Sequence, residues 1–182
     1  MSEFKVASRY AKALIDLSQE QANLDTVKND MQQFIAVLRQ NTELQAVLKN
    51  PIIKQDMKTN ILDGLFADKI HPSIMEFLRI LVRKGRSNIL YATAKEFVRG
   101  YDELKGIVHA TVTSAVALSP ASMDALTKTI ATEIGAAEVV LTNNIDESLI
   151  AGFVVKVGDR QIDASIAGKL AKLERHFTQT VN

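Results

Sequence analysis

The chain has 182 residues, 47% apolar and 24% charged, with a net charge of +1. That length suits one medium core or two small ones, and so small a net charge gives no general steering toward nucleic acid, anionic lipid or acidic substrates. Cysteine is absent, which excludes disulfides and thiolate chemistry and disfavours structural zinc.

No apolar run approaches the roughly 20 residues of a membrane span. The start, Ser2-Glu3-Phe4, already reads as a helix, with no signal peptide or Arg-rich presequence. A cytoplasmic protein is the expectation. The first helix is predicted over 4–19 and carries two apolar stripes. Phe4, Ala7, Ala11 and Leu14 form one; Val6, Tyr10, Ala13 and Leu17 form the other. A helix with a single core face needs only one. The plainer account is an interior helix covered on both sides; the sharper one is that the second stripe receives a partner helix.

A second helix is predicted over 24–39, with Leu24, Val27, Met31, Phe34 or Ile35, and Leu38 on one face. Thr42-Glu43-Leu44-Gln45 has the pattern of a capping box opening a short third helix, which ends near Asn50-Pro51. The fourth is expected to bury Ile53, Met57, Ile61 and Leu65. His71-Pro72-Ser73 opens the fifth, whose stripe is Ile74, Phe77, Leu78 and Leu81, with Gly85 as its stop. The sixth runs from about Asn88 to Leu104, with Leu90, Ala94, Phe97, Tyr101 and Leu104 in register. Six helices with short links indicate an all-α domain over 1–105.

At Gly106 the texture changes. Ile107–Val116 is rich in β-branched residues and reads as a strand. Ser119-Pro120 starts a helix with Met123, Leu126, Ile130 and Ile134 on one face and Gly135 at its end. Glu138–Thr142 is a second strand, and Asn143-Asn144 is expected to turn. Phe153, Val155 and Val157 alternate with Val154 and Lys156. Gly158-Asp159 then suits a primed hairpin turn that sets Arg160 opposite Val157 and Ile162 opposite Val155. Ile166, Leu170, Leu173 and Phe177 follow at helical spacing, with Ser165 placed to cap. The order strand, helix, strand, hairpin, helix makes a small α+β domain over 106–182. Residues 1–105 hold 16 Lys/Arg against 13 Asp/Glu, and 106–182 hold 6 against 8.

Chemistry is harder to find. His71, His109 and His176 stand on three different elements, with no metal-ligand spacing between them. Asp163 and Ser165 have no histidine beside them in sequence, and Ser165 is better placed as a cap than as a nucleophile. Gly152, Gly158 and Gly168 are too widely spaced for a phosphate loop. Arg79, Arg83, Lys84 and Arg86 could touch RNA, but they sit at a helix end where positive charge is favourable, without interleaved aromatics. No catalytic, cofactor or metal residues are assigned. This pattern suits a structural subunit or adaptor, with an RNA-binding or general helical adaptor resting on 79–86 as the alternative. A small enzyme using Asp159 or Asp163 is a third class.

The stretch IAGFVVKVGDRQIDASIAGKLAKL at 150–173 resembles the signature of the delta subunit family of F-type ATP synthase, the counterpart of the mitochondrial oligomycin-sensitivity-conferring protein. The match runs through Gly152, Phe153, Gly158, Asp159, Ile162, Asp163, Ser165, Ile166, Gly168 and Leu170. ASRYAKALIDLS at 7–18, FLRILVRKGR at 77–86 and VHATVTSAVALSP at 108–120 resemble further family patterns in the same order. The resemblance implies a non-catalytic stator subunit of the bacterial form. Its six-helix domain would hold the N-terminal helix of an alpha subunit in a groove between the first and fifth helices, lined by Tyr10, Ala11, Leu14, Phe77, Leu78 and Leu81. Its 106–182 domain would bind the C-terminal ends of the b subunits. It implies a peripheral protein at the cytoplasmic face of the inner membrane, with no membrane insertion of its own and no nucleic-acid partner.

Overall fold

The computed structural model describes residues 3–67 and 69–170. Helices dominate the first part: α1 (Glu3–Glu20), α2 (Leu24–Gln40), α3 (Thr42–Lys49), α4 (Gln55–Phe66), α5 (Pro72–Arg83) and, after a single 3₁₀ turn at Ser87–Ile89, α6 (Leu90–Lys105). Strands then alternate with helix: β1 (Ile107–Ser114), α7 (Pro120–Ile134), β2 (Glu138–Ile145), β3 (Phe153–Val157) and β4 (Arg160–Asp163). The architecture is an all-α helical bundle followed by a small α+β domain with a mixed sheet. The chain divides into two units, Met1–Asp102 and Glu103–Asn182, with the division inside the last turn of α6.

The helical unit is built by stripes of apolar residues at three- and four-residue spacing. Val27, Met31, Phe34 and Leu38 are the buried face of α2, and Leu90, Ala94, Phe97 and Tyr101 that of α6. Ile74, Leu78 and Leu81 are fully sealed on α5. Phe34 meets Phe66 edge to face, with ring centres 5.1 Å apart. Each fully buried Leu or Phe contributes roughly 1.5–3 kcal/mol from surface withdrawn from water. The helix stops follow local chemistry. Pro72 occupies the first turn of α5 behind His71, whose Nδ1 accepts from the Ser73 amide at 3.3 Å. Gly85, at φ 70°, ends the same helix, and Arg86 N donates to Leu81 O.

Three expectations are corrected. The apolar stripe of α4 is rotated by about one residue: Lys58, Leu62 and Phe66 are buried, while Met57 and Leu65 are exposed. Lys58 enters because its Nζ donates to Leu48 O at 2.9 Å and to Ser87 Oγ at 2.8 Å, and Ser87 Oγ donates to Leu48 O at 2.6 Å. The capping box at Thr42 does not form, because Asn41 precedes α3 and the Gln45 side chain donates to Leu38 O at 2.6 Å. Asn143-Asn144 does not turn. Both residues continue β2 in parallel register with Val112 and Thr113 of β1, and Asn143 Oδ1 accepts from Ser114 Oγ at 3.1 Å.

The sheet order is β2-β1-β3-β4, with β1 parallel to β2 through α7 and antiparallel to β3. Ala110, Val112, Val139, Val155 and Ile130 form its core. The hairpin has the expected register, Val155 opposite Ile162 and Val157 opposite Arg160. Gly158 alone of its two turn residues takes positive φ, 55°, the pattern of a type II′ turn. Ile162 is nonetheless half exposed, because β4 is the sheet edge. Residues 166–170 are helical; Leu173, Phe177 and His176 lie outside the described residues.

The Lys58 clamp generates a test. Ser87→Ala removes one partner of a buried ammonium and should cost about 1–3 kcal/mol in urea unfolding. Burial also holds Lys58 below the usual lysine range. In the window between its lowered folded value and its ordinary unfolded value, the unfolded chain binds the extra proton, so stability rises with pH. Wild type should therefore gain stability relative to Lys58→Met as pH rises toward about 10.

Candidate functional site

α1 and α5 run side by side in opposite directions. Asn88, just past α5, donates to Glu3 at 2.7 Å, while Ser73, at the start of α5, donates to Gln21 at 3.1 Å. Between these ends Tyr10 and Phe77 meet edge to face, with centroids 6.4 Å apart. The Arg86 guanidinium lies over the Tyr10 ring at 5.3 Å and donates to its hydroxyl at 3.1 Å.

The two stripes of α1 have different fates. Ala7, Ala11 and Leu14 are buried in the core, with Phe4 left exposed at the helix start. On the other flank Val6 and Tyr10 are half-buried and Ala13 is exposed, while Leu17 is 39% exposed. Across the seam Phe77 is half-buried and Ile80 is 41% exposed. Of the six residues expected to line a groove, Tyr10 and Phe77 reach the surface. Ala11, Leu14, Leu78 and Leu81 are at most 2% exposed and lie in the core beneath. The partly open apolar residues are thus Val6, Tyr10, Ala13, Leu17, Phe77 and Ile80. The second stripe of α1 signalled four of these in sequence. Ile80 was missed because its neighbours Leu78 and Leu81 carry the core stripe.

The other candidate groups have structural occupations. Arg79 pairs with Asp63 at 3.0 Å and with Glu76 at 3.6 Å, and Arg83 approaches Glu76 at 3.8 Å. Two carboxylates, Asp63 and Glu76, thus offset part of the positive charge of the 79–86 stretch, and Arg86 is engaged on Tyr10. His71 caps α5, its backbone N–H donating to Asp30 at 2.7 Å. His109 is on β1, and no group of three His, Cys, Asp or Glu positioned to hold a metal exists among the described residues.

The glycine-rich stretch is a local lock. Asp163 Oδ1 accepts from Ser165 N at 2.9 Å and from Ser165 Oγ at 2.6 Å. Ser165 Oγ in turn accepts from Gly168 N at 2.9 Å, capping the helical turn that follows. A Cβ on Gly168 would stand 2.6 Å from Asp163 Cγ and 2.7 Å from Oδ1. Gly152 takes φ 88°, and a Cβ there would stand 2.5 Å from Ala164 O. Both positions therefore require glycine. Gly158 and Asp159 make the exposed hairpin tip, Phe153 is partly buried against the sheet core, and Leu170 is 53% exposed. Asp163 is thereby a cap partner.

Known proteins resemble this chain along most of its length. Residues 6–177 match the family model described as ATP synthase delta (OSCP) subunit. ATP synthase subunit delta of Cytophaga hutchinsonii is 39% identical over 181 residues, covering 100% of this chain and 98% of that one. The same subunit of Lactobacillus johnsonii is 34% identical over 179 residues, covering 98% of each. A chain in the cryo-EM structure of the Toxoplasma gondii mitochondrial ATP synthase hexamer shares the fold with a TM-score of 0.69, at 19% identity, covering 94% of this chain and 97% of that one.

The lock makes a direct prediction. Gly152→Ala and Gly168→Ala should each destabilise the second unit by about 2 kcal/mol or more. Hydrogen exchange in the full chain should show faster exchange of the β3 and β4 amides, with α2 and α6 unaffected.

Proposed function

The chain belongs to the ATP synthase delta (OSCP) subunit family, and we propose that it grips its two neighbours through two different surfaces, one on each unit. It is a non-catalytic stator subunit of F-type ATP synthase, peripheral to a membrane-associated complex, and it links the catalytic head to the membrane-bound stator. No described helix is long and apolar enough to cross a membrane. On this reading it sits at the cytoplasmic face of the bacterial inner (plasma) membrane, held there through the complex.

The head is held, on this reading, by the helical unit. An amphipathic helix from the N-terminus of an alpha subunit lies along the α1–α5 seam. Val6, Tyr10, Ala13 and Leu17 form one wall and Phe77 and Ile80 the other, over a floor of Ala11, Leu14, Leu78 and Leu81. The observation that carries this is the half-open second stripe of α1, more apolar surface than its own core uses. Helix-in-groove docking would withdraw that surface from water at about 25 cal/mol per Å² before ordering costs. The α+β domain, over 106–182, meets the C-terminal ends of the b subunits. Engagement at both ends raises the effective concentration of each contact. The rotating shaft loads the head with torque, so what the subunit must supply is a long-lived contact.

Leu17→Asp and Ile80→Asp alter surface positions and should leave the fold intact. Each should weaken binding of the alpha N-terminal peptide at least about tenfold, or 1.4 kcal/mol, in calorimetric titration. Leu78→Asp would instead charge a core site and report on folding. Raising salt from about 50 to about 200 mM should change the affinity by less than about threefold, where a surface making many phosphate contacts would lose about 10³-fold or more. Unchanged binding by both folded variants would remove the seam as the site.

A further inference from the structure

The α1–α5 seam carries opposite charges at its two ends. Because the helices are antiparallel, the start of α1 and the end of α5 share one end, and the end of α1 and the start of α5 share the other. Toward the first end Arg9 lies one helical turn from Val6, and Lys84 one turn from Ile80. Arg86 is there too, over the Tyr10 ring, with Nη1 donating to the Tyr10 hydroxyl. Toward the other end Asp16 lies one turn from Ala13 and Glu20 one turn from Leu17. All five are exposed, and among the described residues Arg9, Lys84, Asp16 and Glu20 enter no ion pair. Lys5 and Lys12 fall farther round α1, away from the open stripe. The charges of the Asp63, Glu76, Arg79 and Arg83 cluster cancel. With Glu3 counted at the first end, the two ends stand at +2 and −2.

Helix stability does not account for this arrangement. A helix gains from acidic residues in its first turn and basic ones in its last. α1 ends instead on Glu20, with no basic residue in its last turn, and α5 begins with no acidic residue in its first. The acidic end of the seam is therefore charged against the dipole of α1. The dipoles of α1 and α5 themselves oppose one another, so the backbone gives an arriving helix no direction. The side chains do.

We propose that these charges fix the direction in which the head's helix lies in the seam, its carboxylates beside Arg9, Lys84 and Arg86 and its cations beside Asp16 and Glu20. The occupant is thus an amphipathic helix with its charges segregated along its length. Helices favour acidic first turns and basic last turns, so its N-terminal end lies at the Arg86 end and it runs parallel to α1. Its own dipole, about half a charge at each end, opposes this less than full side-chain charges favour it. Arg86 is the specific contact. Stacking on Tyr10 holds a planar guanidinium on the seam wall, with N–H donors beyond the one given to the hydroxyl, and such a fork takes a carboxylate through two parallel hydrogen bonds. The inference rests on the seam reading given above and adds the direction of docking and its cause.

The test uses the full chain and a synthetic peptide of the alpha subunit's N-terminal segment from the same organism, with a nitroxide at one end or the other. At low salt a nitroxide on the peptide N-terminus should broaden the Arg86 and Asn88 amide signals, and one on its C-terminus those of Gln21 and Ser73. Each exposed charge counts twice in the choice of direction, as attraction lost and as repulsion gained, so one direction should be favoured at least about fivefold. Arg9→Glu, Lys84→Glu, Asp16→Lys and Glu20→Lys combined, all at exposed positions, should cut that preference below about twofold. Arg86→Lys, which keeps the charge and loses the fork, should weaken binding about threefold. A peptide that does not bind wild type, or whose labels broaden neither end of the seam, overturns the seam reading and this inference with it. A peptide bound the other way round, or equally both ways, overturns the direction alone. A folded fourfold variant that keeps the wild-type direction and preference likewise overturns the charges as its cause.

Discussion

The helical unit depends on how α1 divides its apolar surface. Eighteen residues of helix carry two stripes, and the chain's own core covers one of them. Ala7, Ala11 and Leu14 are sealed; Val6, Tyr10, Ala13 and Leu17 stay partly open. A helix that buried both stripes would be more stable alone and useless as a handle. Here the core does not need the open flank, because α2, α5 and α6 each contribute fully buried residues of their own. Tyr10 and Phe77 are the pivot. They pack on each other and on the core cluster, yet each keeps an accessible edge.

The second unit follows a different economy. Its core is small, centred on Ala110, Val112, Ile130, Val139 and Val155. Cohesion after the hairpin comes from a chain of short hydrogen bonds, Asp163 to Ser165 to Gly168, beneath which Gly152 lets the backbone approach Ala164. That gives the aspartate, serine and glycine residues of this closure a structural use. Gly152, Asp163, Ser165 and Gly168 close the hairpin onto the helical turn, and Gly158 and Asp159 make its tip. The same closure fixes the loop that carries Ile150 at φ 65°.

Much of this was legible from residue spacing. Helix limits, the Pro72 and Ser119 starts, the Gly85 and Gly135 stops and the hairpin register all follow local chemistry that a linear pattern displays. The failures have tertiary causes. The face of α4 was misjudged because a lysine enters the core when Leu48 O and Ser87 Oγ, ten and 29 residues away, receive its ammonium. Asn143 and Asn144 were read as a turn because their local preference is plain, whereas the pairing with β1 that overrides it is not. The open flank of α1 was visible as a surplus stripe. Which groove residues are wall and which are floor was not, because adjacent helical positions differ by only about 100° and the facing helix decides between them. The positive φ of Ile150 had no signal at all, since nothing marks a β-branched residue for it.

The central claim is that the α1–α5 seam is open in the free chain and closed by a helix from the head. The chain has no cysteine, so single cysteines report cleanly. Ala13→Cys, Leu17→Cys and Ile80→Cys, with Gln33→Cys on the exposed side of α2 as reference, would be labelled with a maleimide before and after adding the assembled catalytic head. The account predicts that the three seam positions label readily in the free chain and become at least about tenfold slower in the complex, while position 33 keeps its rate. Equal labelling of the seam positions with and without the head would contradict it.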